Sequence, residues 1–436
     1  MKHPHGQTKK PQLLLVWSLL FGVALIAVCS GMQGTLLGLR ASLENFGVDT
    51  IGLIMSAYYA GFLLGARIVP RWVGRVGHIR AFAALATIAS AVILVHSTFV
   101  DPLVWFLLRA LTGFCLSGLF MVSESWLNTI TDNDNRGRLL SAYMFTVTLG
   151  FIAGQFLLNL ASPMGFELFI LASVVLSVAI VPMLLSNISA PAMAYTEHLQ
   201  LYRLIRLSPL GTMGVFVQGL SFSAVMWLTA VFGAQSGFSD TESAYLVGIL
   251  TFGGLVLLLP VGRLSDLQER RYTLLLLSVM AAGAALFVPL AASLDSMWFL
   301  SCLLFLVGGA AMCFYSVSMS HINDHVRGEQ ILSASGSIIF INGIGGLSGP
   351  ILSTQLMKIF GPGGLYYFVA LVYLFMAVFT LYRMSMRAPI TAEEQSHGMA
   401  VMMQTSQVIV TEAMDETDQG DPLAPEEIQG VFSNMK

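Results

Sequence analysis

Twelve mostly apolar stretches run through this chain, each close to the about 20 residues that a helix needs to cross a bilayer. They cover 12–38, 50–71, 79–98, 102–124, 139–160, 164–186, 209–233, 243–264, 272–293, 297–319, 332–357 and 364–385. Polar residues gather in short gaps between them. Only two polar segments are longer, 187–208 and the tail that follows the last stretch. The pattern predicts twelve membrane-spanning helices and an all-α integral membrane protein.

Lys and Arg accumulate in cytoplasmic loops, so they orient the spans. With the N-terminus inside, the inner side holds sixteen of them and the outer loops hold two, Arg40 and Lys358. Both termini are then cytoplasmic, which requires an even number of spans.

The pattern also repeats. At an offset of 192 positions Gly22 falls on Gly214, Val23 on Val215, Phe46 on Phe238, Gly61 on Gly253 and Arg71 on Arg263. At the same offset "LLSA" at 139–142 falls on "ILSA" at 331–334. The chain therefore reads as a short cytoplasmic N-terminus (1–11), a six-helix half (12–186), a linker (187–208), a second six-helix half (209–387) and a tail (388–436). Parallel six-helix halves are an architecture of transporters, with the substrate site between the halves near the bilayer midplane. In the linker, Leu199, Tyr202 and Ile205 can share a face while His198, Arg203 and Arg206 look elsewhere, as in an interfacial helix; a plain tether is the alternative. After Pro389 the tail has nine Asp and Glu, one Lys and a single aromatic, Phe432, a composition expected to be disordered.

Composition narrows the class further. Apolar residues make up 56% of the chain and charged residues 10%, against about 45–50% and about 25% in soluble proteins. The net charge of −3 gives no reason to expect nucleic acid as a partner. All four cysteines, Cys29, Cys115, Cys302 and Cys313, lie in apolar runs without zinc-ligand spacing. "LIAVCSG" around Cys29 lacks the small residue a lipoprotein signal wants before its cysteine. The alignment of Cys29 with Ser221 marks the first span as a retained helix, not a cleaved leader. No Gly-Lys pair occurs anywhere, so there is no phosphate-cradling loop for ATP. No cofactor or metal is expected.

One stretch stands out. "GARIVPRWVGRVGHIR" (65–80) collects Arg67, Arg71, Arg75 and Arg80 after seventeen uncharged residues. As the cytoplasmic turn between spans 2 and 3 it would meet water and anionic headgroups. It also resembles the loop 2–3 signature of the major facilitator superfamily. Gly65, Arg71, Arg75, Gly77 and Arg80 fit that signature, and Gly74 stands where the family has Asp. "GRLSDLQERR" (262–271) resembles the second-half copy: Asp266 is present beside Arg263, with Leu267 in place of the following Arg. "RALTG" (109–113) resembles the Arg-x-x-x-Gly motif of span 4. "GGLSGP" (345–350) resembles the gate-helix motif through Gly345, Gly349 and Pro350. In its first-half counterpart, "GFIAGQ" (150–155), Gln155 replaces the proline associated with antiporters, which weakens an efflux reading. "SESWLN" (123–128), "RGRLLSAYM" (136–144) and "EEQSHGMAVM" (393–402) resemble the YcaD-type branch, bacterial inner-membrane proteins largely uncharacterised in substrate.

The resemblance implies a secondary transporter whose halves rock about a central cavity, driven by an ion gradient, usually protons. It implies a monomer whose partners are a small solute and the lipid bilayer. It also implies that the loop Asp faces a helix N-terminus of the other half while the cytoplasmic side is shut, which leaves Asp266 as the single latch.

Individual residues carry alternatives. Arg109 lies roughly 9 Å inside its span at 1.5 Å per residue. It is either a cavity residue suited to an anionic or hydroxyl-rich substrate or an arginine snorkelling to the headgroups. Glu124 is either a proton-coupling carboxylate or, as the family's acid at this place resembles doing, a partner of Arg75 or His78. Gln33, Gln155, Asn159, Gln218 and Asn342 should look inward, to bind substrate or to join helix to helix. Trp227 and Tyr315 either stack on a substrate ring or serve as interface anchors or core packing. Glycines crowd spans 2, 5, 8 and 11, for a moving seam or for tight static packing. A membrane enzyme would need a catalytic set, which the nearly acid-free spans lack. A non-transporting sensor with the tail as its output would fall silent on deletion of 389–436, whereas a transporter would keep uptake.

Overall fold

The computed structural model of the chain describes residues 9–130, 136–184, 201–325 and 329–386. Thirteen α-helices follow in order: α1 (Lys9–Leu43), α2 (Val48–Val76), α3 (His78–Thr98), α4 (Pro102–Ile130), α5 (Arg136–Leu157), α6 (Glu167–Leu184), α7 (Leu201–Leu207), α8 (Pro209–Gln235), α9 (Asp240–Leu267), α10 (Arg270–Ser293), α11 (Met297–Asn323), α12 (Glu329–Phe360) and α13 (Gly364–Met386). Twelve of them match the twelve apolar stretches, and α7 lies in the linker. Without water in the hydrocarbon, a helix is the way each span satisfies its own backbone groups. Eleven are long and apolar enough to cross a membrane. The remaining one, α6, has 18 residues, or roughly 27 Å at 1.5 Å per residue. Segments 1–8, 185–200 and 387–436, with the motif at 393–402 and the expected disordered tail, lie outside the described residues.

The two halves pack alike. In the first, α1 lies against α5 and α6, α2 against α4, and α3 against α4 and α6. In the second, α8 lies against α12 and α13, α9 against α11, and α10 against α11 and α13. The offset of 192 extends to the local chain path. Helix α2 starts at Val48 and α9 at Asp240, α3 at His78 and α10 at Arg270. The turns before α2 and α9 also coincide. Asn45 (φ 59°) and Gly237 (φ 90°) are both left-handed, and Phe46 N–H donates to Ala41 O (3.0 Å) as Phe238 N–H does to Gly233 O (3.1 Å). Asn and Gly are the residues that adopt this conformation most readily. In the second turn, Ser239 and Glu242 add a capping box that starts α9.

The arginine run forms the end of α2 and the start of α3, parted at Gly77, whose φ of 87° suits glycine. Arg67, Arg71, Arg75 and Arg80 are all exposed. Within α7, Leu204 is buried while Tyr202 and Ile205 are exposed together, with the Arg206 guanidinium 4.4 Å from the Tyr202 ring centroid.

Candidate functional site

The halves line a cavity of about 100 Å³ near the middle of the helices. From the first half it is lined by Tyr58, Tyr59 and Phe62 of α2, Phe120 of α4, and Thr148 and Phe151 of α5. From the second it is lined by Gln218, Phe222, Met226 and Trp227 of α8, Thr251 of α9, Met312 and Tyr315 of α11, and Asn342 and Gly343 of α12. None of these side chains is charged. The polar groups of the lining include the Tyr58, Tyr59 and Tyr315 hydroxyls, Thr148, Thr251 and two amides bonded to each other: Asn342 Nδ2 donates to Gln218 Oε1 (2.6 Å) and to the Val215 carbonyl (3.1 Å).

One wall of the cavity is an inter-half contact. Trp227 of α8 reaches into the first half, 5.4 Å from the Tyr58 ring centroid. Its indole fills the space left by a missing side chain, since a Cβ at Gly34 would lie 1.8 Å from Trp227 Cζ3. The Arg109 guanidinium of α4 packs behind these rings, 4.7 Å from the centroid of Trp227 and 4.9 Å from that of Tyr58. Arg109 is 1% exposed, and its Nε and Nη2 have no hydrogen-bond partner. It is therefore not a snorkelling arginine, and it stands behind the cavity wall instead of in the lining.

The halves meet on the face opposite the arginine-rich loops. There Lys358 Nζ lies 2.9 Å from Asp49 Oδ2, an exposed pair of the kind worth about 0–1 kcal/mol. Beside it α2 and α12 touch backbone to side chain, with Gly52 against Thr354 and Pro350 O, and Gly38 of α1 faces Val231 and the Trp227 carbonyl. Further in, Gly346 abuts Tyr59 and Gly343 abuts Leu63. On the arginine-rich face, a Cβ at Gly74 would meet nothing within 4 Å. Asp266 is exposed there and faces Arg270 of its own half at 3.8 Å. Arg263 is exposed as well.

The remaining candidates fall in several places. Glu124 is fully buried and accepts from the Tyr143 hydroxyl of α5 at 3.0 Å. Arg75 is exposed, and His78 Nε2 lies 3.4 Å from Ser125 Oγ. The expected pairing of Glu124 with Arg75 or His78 is thus absent among the described contacts, because both the α2 end and the His78 ring face elsewhere. Gln155 Nε2 donates to the Gly31 carbonyl (2.9 Å), tying α5 to α1. Gln33 is buried with Nε2 unpartnered, outside the cavity lining. Asn159 is exposed instead of facing inward. It sits in a 3₁₀ turn, Leu158–Leu160, whose tighter three-residue winding turns it off the Gln155 face.

Gly65 packs on Phe114 of α4, and Gly345 and Gly349 on Phe216 and Leu220 of α8, each inside its own half, while Pro350 presents its carbonyl to Gly52. Most glycines on the expected seam thus serve packing within a half, and Gly248, Gly343 and Gly346 face across it. Eight aromatic side chains line the cavity, of which only Trp227 and Tyr315 stand out in the sequence. The adjacent hydroxyls of Tyr58 and Tyr59, deep in an apolar span, were the available signal.

Known proteins agree with this geometry. The Major Facilitator Superfamily profile matches residues 19–327 and 211–425. An uncharacterized MFS-type transporter of Yersinia enterocolitica is 26% identical over 377 residues, 84% of this chain and 95% of the relative. The uncharacterized MFS-type transporter YcaD of Escherichia fergusonii is 24% identical over 361 residues, 82% and 92% of the two chains. Among solved structures, a variant of the nucleoside transporter NupG superposes with a TM-score of 0.73 at 14% identity, covering 85% of this chain and all of that one. A bacterial homolog of the lysosomal transporter Spinster gives 0.67 at 13% identity, covering 87% and 96%. A matched profile over most of the length, twelve spans in two like halves and a cavity between them lead to one assignment: this chain belongs to the major facilitator superfamily and is a membrane transporter, not an enzyme.

Proposed function

We propose that the protein is a secondary transporter of a small solute in the bacterial inner membrane, working by alternating access as a monomer with both termini cytoplasmic. The supporting observation is the asymmetry around the cavity. Contacts between the halves, α2 with α12 and α1 with α8, cluster on the face opposite the arginines. With the arginine-rich loops cytoplasmic, this arrangement is an inward-facing state. Spin-label pairs test the reading, one on Asp49→Cys with Lys358→Cys and one on Arg75→Cys with Arg263→Cys, in liposomes. A rocking transporter gives two populations, in which the first distance lengthens as the second shortens. A single population on both faces would rule rocking out.

In this reading residues 12–186 and 209–387 are the moving units, and Asp266 latches the closed cytoplasmic side. A carboxylate facing a helix N-terminus is worth about 0.3–1 kcal/mol when exposed and up to about 2 kcal/mol when partly buried. Asp266→Asn should therefore raise thiol labelling of cysteines placed in the cytoplasmic half of the cavity. Gly74→Asp, for which the structure has room, should lower it. Equal labelling of wild type and Asp266→Asn would mean that Asp266 serves only Arg270.

The energy source we propose is a proton gradient, supported by the missing nucleotide loop and by a carboxylate buried at Glu124. Glu124→Gln keeps an acceptor for the Tyr143 hydroxyl but cannot exchange a proton. The variant should fold, and its transport should lose dependence on pH. A variant that unfolds, or keeps its pH profile, would make Glu124 a structural residue.

A further inference from the structure

Charge, shape and hydrogen-bonding capacity of the cavity together specify a class of molecule. We infer that it binds an uncharged planar ring compound carrying an amide-like edge, a ring C=O beside N–H; this rests on the transporter reading above and names its substrate class.

Charge comes first. No lining side chain is ionised; Arg109 packs on the Tyr58 and Trp227 rings and Glu124 is buried near Tyr315, both outside the lining. An ion entering such a site gives up hydration with no counter-charge in contact, which is unfavourable. Size and shape follow. About 100 Å³, against the ~150 Å³ apolar cavity that accommodates benzene, gives room for a single ring and too little for a polyol with its hydration. Tyr58, Phe222, Trp227 and Tyr315 are among the eight aromatic side chains of the lining, and aromatic rings pair well with other rings.

The edge is set by the two amides. Donation from Asn342 Nδ2 to the Val215 carbonyl fixes which way the Asn342 amide points, because a backbone carbonyl only accepts. The second Nδ2 proton goes to Gln218 Oε1, which fixes the Gln218 amide in turn. Asn342 Oδ1 and Gln218 Nε2 are thereby left as neighbouring acceptor and donor on the cavity wall. A lactam or a similar N–H/C=O edge is complementary to both. Thr148 and Thr251 add little, since their hydroxyl protons go to the Met144 and Val247 carbonyls of their own helices.

The test uses the full chain in nanodiscs and four probes of defined chemistry: 2-pyridone, benzene, benzoate and glucose, with binding read by equilibrium dialysis. The lactam should bind best and benzene about tenfold more weakly, the scale of one or two net hydrogen bonds. Benzoate and glucose should not bind. Asn342→Leu should bring 2-pyridone down to the benzene affinity and leave benzene itself unchanged; where that variant does not fold, Gln218→Met carries the same comparison. Benzoate or glucose binding more tightly than the lactam would overturn the inference. So would equal losses for both ring compounds in the amide variant, or no binding by any probe. Binding of the lactam without counterflow in proteoliposomes would uphold the inference and count against the transport reading alone.

Discussion

Trp227→Ala should part the halves on the face where they now meet, and Gly34→Leu should do the same from the other side of the contact. Trp227 is 5% exposed and touches three groups of the opposite half: Gly34, the Tyr58 ring and the Arg109 guanidinium. A desolvated cation–π contact is worth about 2 kcal/mol, and an aromatic pair about 0.5–1.5 kcal/mol. These contacts exist only while this face is shut. Losing roughly 3 kcal/mol from one of two states moves their ratio on the order of a hundredfold. The indole is rigid, so it cannot yield to a side chain whose Cβ would lie 1.8 Å away. Val231→Cys, introduced in a Cys302→Ser background, reports the change, because Val231 is buried at this contact beside Gly38. Its labelling should be slow in the parent and fast in either variant. Combining Gly34→Leu with Trp227→Ala should recover part of the protection, since the new side chain then occupies the vacated space. Unchanged labelling in Trp227→Ala would place the closure elsewhere, at α2 and α12.

Arg109→Met should abolish transport without lowering thermal stability, and should raise the melting temperature by a few degrees. Two buried N–H-bearing nitrogens of the guanidinium lack partners. Each unsatisfied buried group costs about 1–3 kcal/mol, more when charged. The two aromatic faces offset part of this, about 2 kcal/mol apiece at best. The sum leaves Arg109 neutral or unfavourable for folding, and methionine keeps much of its apolar volume. A charge retained inside the membrane on those terms serves function: when Trp227 withdraws, the guanidinium is uncovered and meets whatever then fills the space. A net gain of about 1 kcal/mol corresponds to about 2–4 °C in a domain of 150–250 residues. Differential scanning fluorimetry and counterflow on the same preparation separate the cases. A fall in melting temperature as large as that of Trp227→Ala would make Arg109 a packing wedge.

Span positions, the arginine-rich face and the 192-residue repeat were all legible in the chain. Lipid as a solvent forces every backbone group into a helix, so length and apolar run suffice to mark a span. The repeat carries its own local geometry, down to the left-handed residue before α2 and α9. Gln218 and Asn342 were legible as inward-facing for the same reason, since an amide left in hydrocarbon has no partner.

What the tertiary structure alone decided is which inward residues meet. Glu124 pairs with Tyr143, on the next helix, and not with the arginine run. Gln155 spends its donor on α1, and Asn159 is turned outward by three residues of tighter helix. Trp227 and Arg109 lie more than a hundred positions apart, on different halves, and no periodicity within either helix encodes their contact. Apolar spacing specifies that a face is buried, but lipid and protein are equally apolar to it. The choice of partner comes from shape, here the absence of a side chain at Gly34, and from polar groups that find each other only once the helices are packed.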